Sequence, residues 1–350
     1  MERSSQDRFR ASVESALMCR VQDIGSDLEV ARAQEKPKST VLDQTSEDIV
    51  YLSSLVTDYT RHLNRLRSPL LRLPPEILPT VLNVVVSDTR PHLRGWIHLG
   101  HVCNVLRSVL LGMHALWADV VCDVQYAHVQ KELLVRAGSC PILISLPHNP
   151  APQHIVKALG LLNRAHSFGI LSVPREKMDT IVEALGQGPF QSLERLSLCL
   201  SDTAISYKGH SPLVAPKLRA LHLQNMILPI KSSTLTSLSL CLRYVHIPMQ
   251  GARAFVGMLR RCAQLEDLKL DGWIPDCAVL QHEQQYESVV SLPRLVRITM
   301  RHGCTRILQF WSLLSIPTST SVDLQFTDDP SNLQGLLEKS RTLRAFIWTG

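Results

Sequence analysis

The sequence has no Cys-x-x-Cys pair, no apolar run long enough to cross a bilayer and no dense basic stretch. Its 9 cysteines are odd in number and scattered, which argues for reduced, mostly buried thiols and against a disulfide framework or a zinc knuckle. The longest apolar stretches, such as Val81 to Val86, fall far short of the roughly 18 residues a membrane span requires, and no apolar segment follows Met1. The expectation is an intracellular chain, cytoplasmic and/or nuclear, that engages no membrane. A net charge of +6 spread along the chain does not suggest a nucleic-acid binder. Catalytic signatures are also missing. There is no phosphate-binding Gly-x-x-x-x-Gly-Lys-Ser/Thr loop, no Gly-x-Ser-x-Gly elbow and no His-Glu-x-x-His helix, and Gly186-Gln187-Gly188 lacks the third glycine of a dinucleotide loop. His98, His101 and Cys103 lie close together, but His101 and Cys103 point to different helix faces and no fourth ligand accompanies them. Asp328-Asp329 stands before Pro330 as a helix-start signal for Ser331 onward. The reading is therefore of a protein with no enzymatic role, no cofactor and no metal.

What is present is an ordinary globular composition, 350 residues with 45% hydrophobic and 19% charged, which excludes disorder throughout. Residues 1–41 are polar with scattered apolar positions and end at the breaker Pro37-Lys38-Ser39, so they predict a weakly structured N-terminus, a marginal helix or a disordered one. Over 42–68 the residues Leu42, Ile49, Leu52, Val56, Tyr59, Leu63 and Leu66 follow heptad spacing with Thr45 intruding. That stripe serves equally a coiled coil self-associating through 42–66 or an amphipathic helix laid on the next domain. Pro69 and Leu73-Pro74-Pro75 end it.

A helical stretch then runs over 69–121. Proline is tolerated in a first helical turn, so a helix should start at Pro75, with Glu76 complementing its positive end and Ile77, Leu78, Val81, Leu82 and Val85 as its apolar face. Leu99, Val102, Cys103, Leu106, Val109, Leu110 and Met113 predict a further helical stripe.

From 122 to 350 the pattern becomes a recurring Leu-x-x-Leu-x-Leu. It is plain at Leu193, Leu218, Leu235 and Leu265, looser at Leu295-Ile298-Met300 and Leu343-Phe346-Trp348, and degenerate at Ser319-Val322-Leu324. Two earlier strands are expected at Ile142–Leu146 and Phe168–Ser172, spaced at about 25 residues. Helices between strands are predicted around Ile155, Val156, Leu159 and Leu162; Met178, Ile181, Val182 and Leu185; Phe255, Val256 and Leu259; and Ile307, Leu308, Trp311 and Leu314. Units this small must stack to bury their leucines, so the expected fold is α+β overall: an N-terminal helix, a small all-α module, then an irregular α/β leucine-rich-repeat solenoid.

Leu73-Pro74-Pro75-Glu76-Ile77-Leu78, then Gly95-Trp96 through Val102-Cys103, then Leu116-Trp117, resemble the F-box-like module of fungal proteins over about 50 residues. In that family a helix precedes the module and repeats follow it. Here Leu106 stands where the family has a central tryptophan, followed by the expected Arg107, and Val81-Leu82 replaces a frequent Ile-Phe. The resemblance implies a substrate receptor that binds the Skp-family adaptor, and through it a cullin-based SCF ubiquitin ligase, using Leu73, Pro74, Pro75, Glu76, Ile77, Leu78, Val81 and Leu82. A repeat-only interaction scaffold with a degenerate F-box-like cap is the alternative. An unknown client protein is expected on the concave strand face, at Arg195, His222, Gln224, Asp267, Lys269, Asp271, Arg297, Thr299 and Arg301, positions that alternate with the leucines.

Overall fold

A computed structural model of the chain describes residues 5–34, 39–88, 93–124, 126–201, 205–207, 210–242, 252–275, 277 and 289–327. The Leu343-Phe346-Trp348 segment and the Asp328-Asp329 turn with its following helix lie outside them. The chain is mixed helix and strand, with a helical N-terminal region followed by an open parallel sheet. It divides into two compact units, one formed by residues 1–85 and 98–110 and the other by 86–97 and 111–350.

The first unit opens with two long helices, α1 (Ser5–Ala33) and α2 (Ser39–Arg67). Of the two alternatives for the N-terminal segment, a marginal helix and disorder, the structure has a helix, continuous from Ser5 to Ala33. Its apolar residues are too dispersed to have announced a helix by periodicity. Phe9 stacks on Tyr59 with ring centroids 6.3 Å apart, and Arg20 Nε donates to Asp48 Oδ2 at 2.7 Å. Eleven residues forward on α1 match eleven backward on α2, so the pair is an antiparallel hairpin. After the Pro69 break and a short turn of 3-10 helix, α3 (Ile77–Asp88) begins two residues later than Pro75 suggested, because the Ile77 and Leu78 amides both bond to the Pro74 carbonyl. The helix α4 (Leu93–Trp96) belongs to the second unit and α5 (Leu99–Val102) to the first. The single stripe expected from Leu99 to Met113 is interrupted, since Cys103 is extended (φ −159°, ψ 164°) and a new helix, α6 (Asn104–Gly112), starts after it.

In the second unit α7 (His114–Val120) and α8 (Ala127–Ala137) precede the sheet, and α7 packs along its first strand. The strands are β1 (Ile142–His148), β2 (Ala165–Val173), β3 (Arg195–Leu200), β4 (Ala220–Gln224), β5 (Ser237–Cys241), β6 (Asp267–Asp271), β7 (Arg297–His302) and β8 (Ser321–Phe326). They lie side by side in chain order and every pair is parallel. A parallel neighbour requires a crossover. Helices supply it between β1 and β2 (α9, Pro152–Gly160), β2 and β3 (α10, Arg175–Leu185), β5 and β6 (α11, Ala252–Arg261), and β7 and β8 (α12, Cys304–Trp311). Between β3 and β5 the crossovers carry two-residue ladders instead, 205–206 against 226–227 and 213–214 against 230–231. Three predicted helix-face residues fall elsewhere: Val156 is 65% exposed on the outer side of α9, Leu162 lies in a 3-10 turn beyond α9, and Leu314 lies in a short strand beyond α12.

The register explains the leucine spacing. Ile144, Phe168, Leu196, Leu221, Leu238, Leu268, Ile298 and Val322 stand opposite one another across all eight strands, and the residue two further along each strand forms a second such row. From β1 to β7 both rows are buried. The leading leucines Leu193, Leu218, Leu235, Leu265 and Leu295 sit just before their strands and are buried too. Ile155, Ile181, Leu185, Phe255, Leu259, Ile307 and Phe310 add the buried faces of the four crossover helices. Each fully buried leucine contributes about 2 kcal/mol.

The chain must turn sharply where strands end. Asn149 (φ 46°), Asn225 (φ 56°) and Gly272 (φ 66°) take left-handed conformations there, which Gly and Asn tolerate best. At Gly272 a Cβ would stand 2.1 Å from the Leu242 carbonyl oxygen, so no other residue fits without a shift of backbone.

Candidate binding face of the parallel sheet

Strand alternation puts every second residue of β3 to β7 on the face opposite the leucine rows. Three polar rows result. The first runs Ser167, Arg195, Ala220, Ser237, Asp267, Arg297, Ser321; the second runs Ser145, Gly169, Ser197, His222, Ser239, Lys269, Thr299, Asp323; the third runs Cys199, Gln224, Cys241, Asp271, Arg301, Gln325. The nine residues marked from sequence as client-facing, Arg195, His222, Gln224, Asp267, Lys269, Asp271, Arg297, Thr299 and Arg301, all fall in these rows. Between them stand Ser197, Ser237, Ser239 and Cys241, and beyond β7 come Asp323 and Gln325, which the sequence reading passed over. The same alternation would have found them, but β5 carries small side chains and β8 has a degenerate leucine pattern, so neither drew notice.

Side chains of adjacent strands meet on this face. His222 Nδ1 lies 3.0 Å from Ser239 Oγ, the Cys241 thiol donates to Asp271 Oδ2 at 3.5 Å, and Arg297 pairs with Asp267 at 3.7 Å. Burial, and secondarily the charge of Lys269, hold the His222 imidazole below its ordinary value, so it is neutral at pH 7. Arg195, Lys269, Arg297 and Arg301 are exposed, whereas Asp267 and Asp271 are half-buried beneath them. Cations therefore project furthest, over a floor of hydroxyls, thiol and carboxylates. At about 4.8 Å per strand the eight strands present a face roughly 34 Å wide. That suits a peptide or a protein surface, since small-molecule sites are enclosed and mostly apolar.

Asn225, at the end of β4, is a structural partner of this face that sequence did not single out. It is buried, its Nδ2 donates to the Leu200 carbonyl at 3.0 Å, and its amide donates to the Cys241 carbonyl at 2.8 Å, tying three strands at one end.

The residues of the F-box-like resemblance are distributed differently from the expectation. Of the eight adaptor positions, Pro74, Pro75, Glu76 and Ile77 are exposed, Leu73 and Val81 half-buried, and Leu78 and Leu82 buried at 3% exposure each. Leu78 and Leu82 thus anchor α3 and present nothing to a partner. Ile77, Val81, Val84 and Val85 recur at helical spacing on a different side, and Ile77, Val84 and Val85 are exposed, so α3 carries an apolar stripe on its open side. The 69–121 stretch is not one compact body. Trp96 and Trp117 pack edge to face at 4.7 Å in the second unit, with the Arg136 guanidinium 4.8 Å from the Trp117 ring, whereas 98–110 belong to the first unit. The substituted Leu106 is buried.

Away from this face, burial pushes the Cys122 thiol up to about 12 and the Cys262 thiol up to about 11, which keeps both in the unreactive thiol form. Among the described residues no group of three or more His, Cys, Asp or Glu could hold a metal, and no helix is long and apolar enough to cross a membrane. No protein-family model, curated protein or solved structure matches this chain, and its function has to be argued from the chemistry of these surfaces.

Proposed function

We propose that the chain is a non-catalytic interaction protein whose strands stack as a leucine-rich-repeat solenoid and hold a client protein on the polar face. The observation that carries this reading is the register: leucine rows on one side and three polar rows on the other, continuous across strands that neighbour each other in chain order. One-dimensional stacking of strand-and-crossover segments produces this arrangement and leaves a broad open face. The exposed cations favour a client surface that offers carboxylates, bound by Arg195, Lys269, Arg297 and Arg301 with His222, Gln224, Asp267, Asp271 and Thr299 setting orientation.

A second role, docking of a Skp-family adaptor and so recruitment of an SCF ubiquitin ligase, is supported by the exposed stripe of α3. The docking set is then Leu73, Pro74, Pro75, Glu76, Ile77, Val81, Val84 and Val85, with Leu78 and Leu82 as internal supports. An amphipathic helix offering an unburied apolar side is a standard mode of groove recognition. Burial of Leu78 and Leu82 is also what a structural cap requires, so the adaptor has to be tested directly. Calorimetric titration of purified Skp-family adaptor into the wild-type chain and into an Ile77→Asp, Val84→Asp variant separates the two readings. Both positions are exposed, so the variant should fold. Binding lost in the variant, with the circular dichroism spectrum retained, supports adaptor docking. A wild type that takes no adaptor leaves the interaction scaffold.

A further inference from the structure

The α1–α2 hairpin holds apolar surface that its own two helices cannot cover. Ile49, Val56 and Tyr59, three of the heptad positions of α2, remain 59%, 66% and 65% exposed with α1 already alongside. On α1, Phe9, Met18 and Val21 are exposed to a similar degree. Each helix has 29 residues, about 43 Å of length, so this is an extended surface and not a single knob.

Charge says what covers it. Among the described residues at the loop end of the hairpin, Asp23, Asp27, Glu29, Asp43, Glu47 and Asp48 outnumber Arg20 and Arg32. At the open end Arg8, Arg10, Arg61, Arg65 and Arg67 outnumber Asp7, Glu14 and Asp58. Arg65 and Arg67 in the last turn suit the dipole of α2, whose first turn carries no acidic residue. In α1, inside the terminal turns that carry Asp7 and Arg32, the order is reversed: Arg8 and Arg10 come early, Asp27 and Glu29 late. The helix dipole therefore does not account for α1, and antiparallel pairing stacks like charge on like at both ends. A second hairpin turned end for end meets acid with base at both ends at once, which a two-fold axis perpendicular to the hairpin achieves with identical surfaces.

We propose that two copies of this chain associate through their α1–α2 hairpins, antiparallel to one another, as a four-helix bundle with Ile49, Val56 and Tyr59 in its seam. Four-helix bundles bury such a seam with short-loop antiparallel neighbours. The end-to-end charge complementarity sets the orientation and adds attraction that salt weakens.

Sedimentation equilibrium of the full chain in 50 mM and 500 mM salt tests this. The protomer is 39.2 kDa, and the expected species in low salt has twice that mass, with a dissociation constant roughly tenfold weaker in high salt. An Ile49→Glu, Val56→Glu variant should be monomeric with unchanged helicity, because both positions are exposed in the single chain. The orientation is read from two charge variants, Asp43→Arg with Glu47→Arg, and Arg65→Glu with Arg67→Glu. Each alone should dimerise at least about tenfold more weakly than wild type, and an equimolar mixture should recover dimers. A wild type that stays monomeric at about 100 μM overturns the proposal, since that concentration detects any dissociation constant below about 1 mM. So does a dimer untouched by Ile49→Glu, Val56→Glu, and so does a charge variant that dimerises alone as well as wild type does.

Discussion

In β2 to β7 the leucine-row positions are at most 5% exposed, whereas the heptad residues Ile49, Val56 and Tyr59 of α2 are about two-thirds exposed. Both regions are periodic in apolar residues. They differ in what the period meets: a strand finds the next strand about 4.8 Å away and a crossover behind it, but α2 finds α1 and a short 3-10 turn and keeps much of its stripe open. Periodicity therefore announces a surface to be buried, and only the supply of neighbours decides whether the chain buries it itself. The sheet buries its periodic surface within the chain, and the hairpin leaves much of its own exposed.

The largest effect should come from deleting a leucine row. Leu268→Ala removes a fully buried side chain between Leu238 and Ile298 and should cost about 2–5 kcal/mol, read as a lowered urea midpoint at constant slope. Val56→Ala, at an equally periodic position, should change the monomer by less than about 0.5 kcal/mol. A comparable loss at both positions would erase the contrast between the regions.

A smaller loss is expected at Asn225, where the sheet is tied at its end. Asn225→Ala removes the bond to the Leu200 carbonyl and strains the left-handed backbone, for a cost of about 2 kcal/mol. Asn225→Gly keeps the backbone freedom, so it should recover part of that loss in the same urea titration. Equal losses would assign the whole effect to the side-chain bond.

The smallest effect concerns the polar face. The folded His222 pKa lies below its unfolded value near 6.5, so the unfolded state binds the proton more readily. The sign follows: His222 costs nothing above about 6.5 and reduces stability as the pH falls below it, through the lower folded value. Urea midpoints of His222→Gln between pH 5 and 7 should therefore fall less with acid than those of wild type. An unchanged slope would mean that His222 does not titrate differently on unfolding.

The Leu-x-x-Leu-x-Leu spacing was legible because its period matches strand alternation, and it placed β3 to β7 and set the nine candidate residues on the face opposite the leucine rows. Ser239 and Cys241 escaped notice because small polar side chains carry no periodic signal of their own, although they are the β5 partners of His222 and Asp271. On α3 the sequence offered one apolar face, Ile77, Leu78, Val81, Leu82 and Val85. The helix resolves it into a buried line through Leu78 and Leu82 and an exposed line through Ile77 and Val84, a division that depends on which side neighbours occupy.

By itself the sequence determined the strands of the leucine pattern and where the helices around α2 and α3 break, since period and breaker residues act locally: leucine spacing for the strands, Pro69 and Pro74-Pro75 for the helix ends. The tertiary structure alone decided that Ser5–Ala33 is one helix paired with α2, that Cys103 interrupts the helical stripe, and that Trp96 joins Trp117. Each of these rests on contacts between residues far apart in the chain or on a backbone bend that composition does not encode. Burial belongs to the neighbours of a residue, and a sequence states the residue without them.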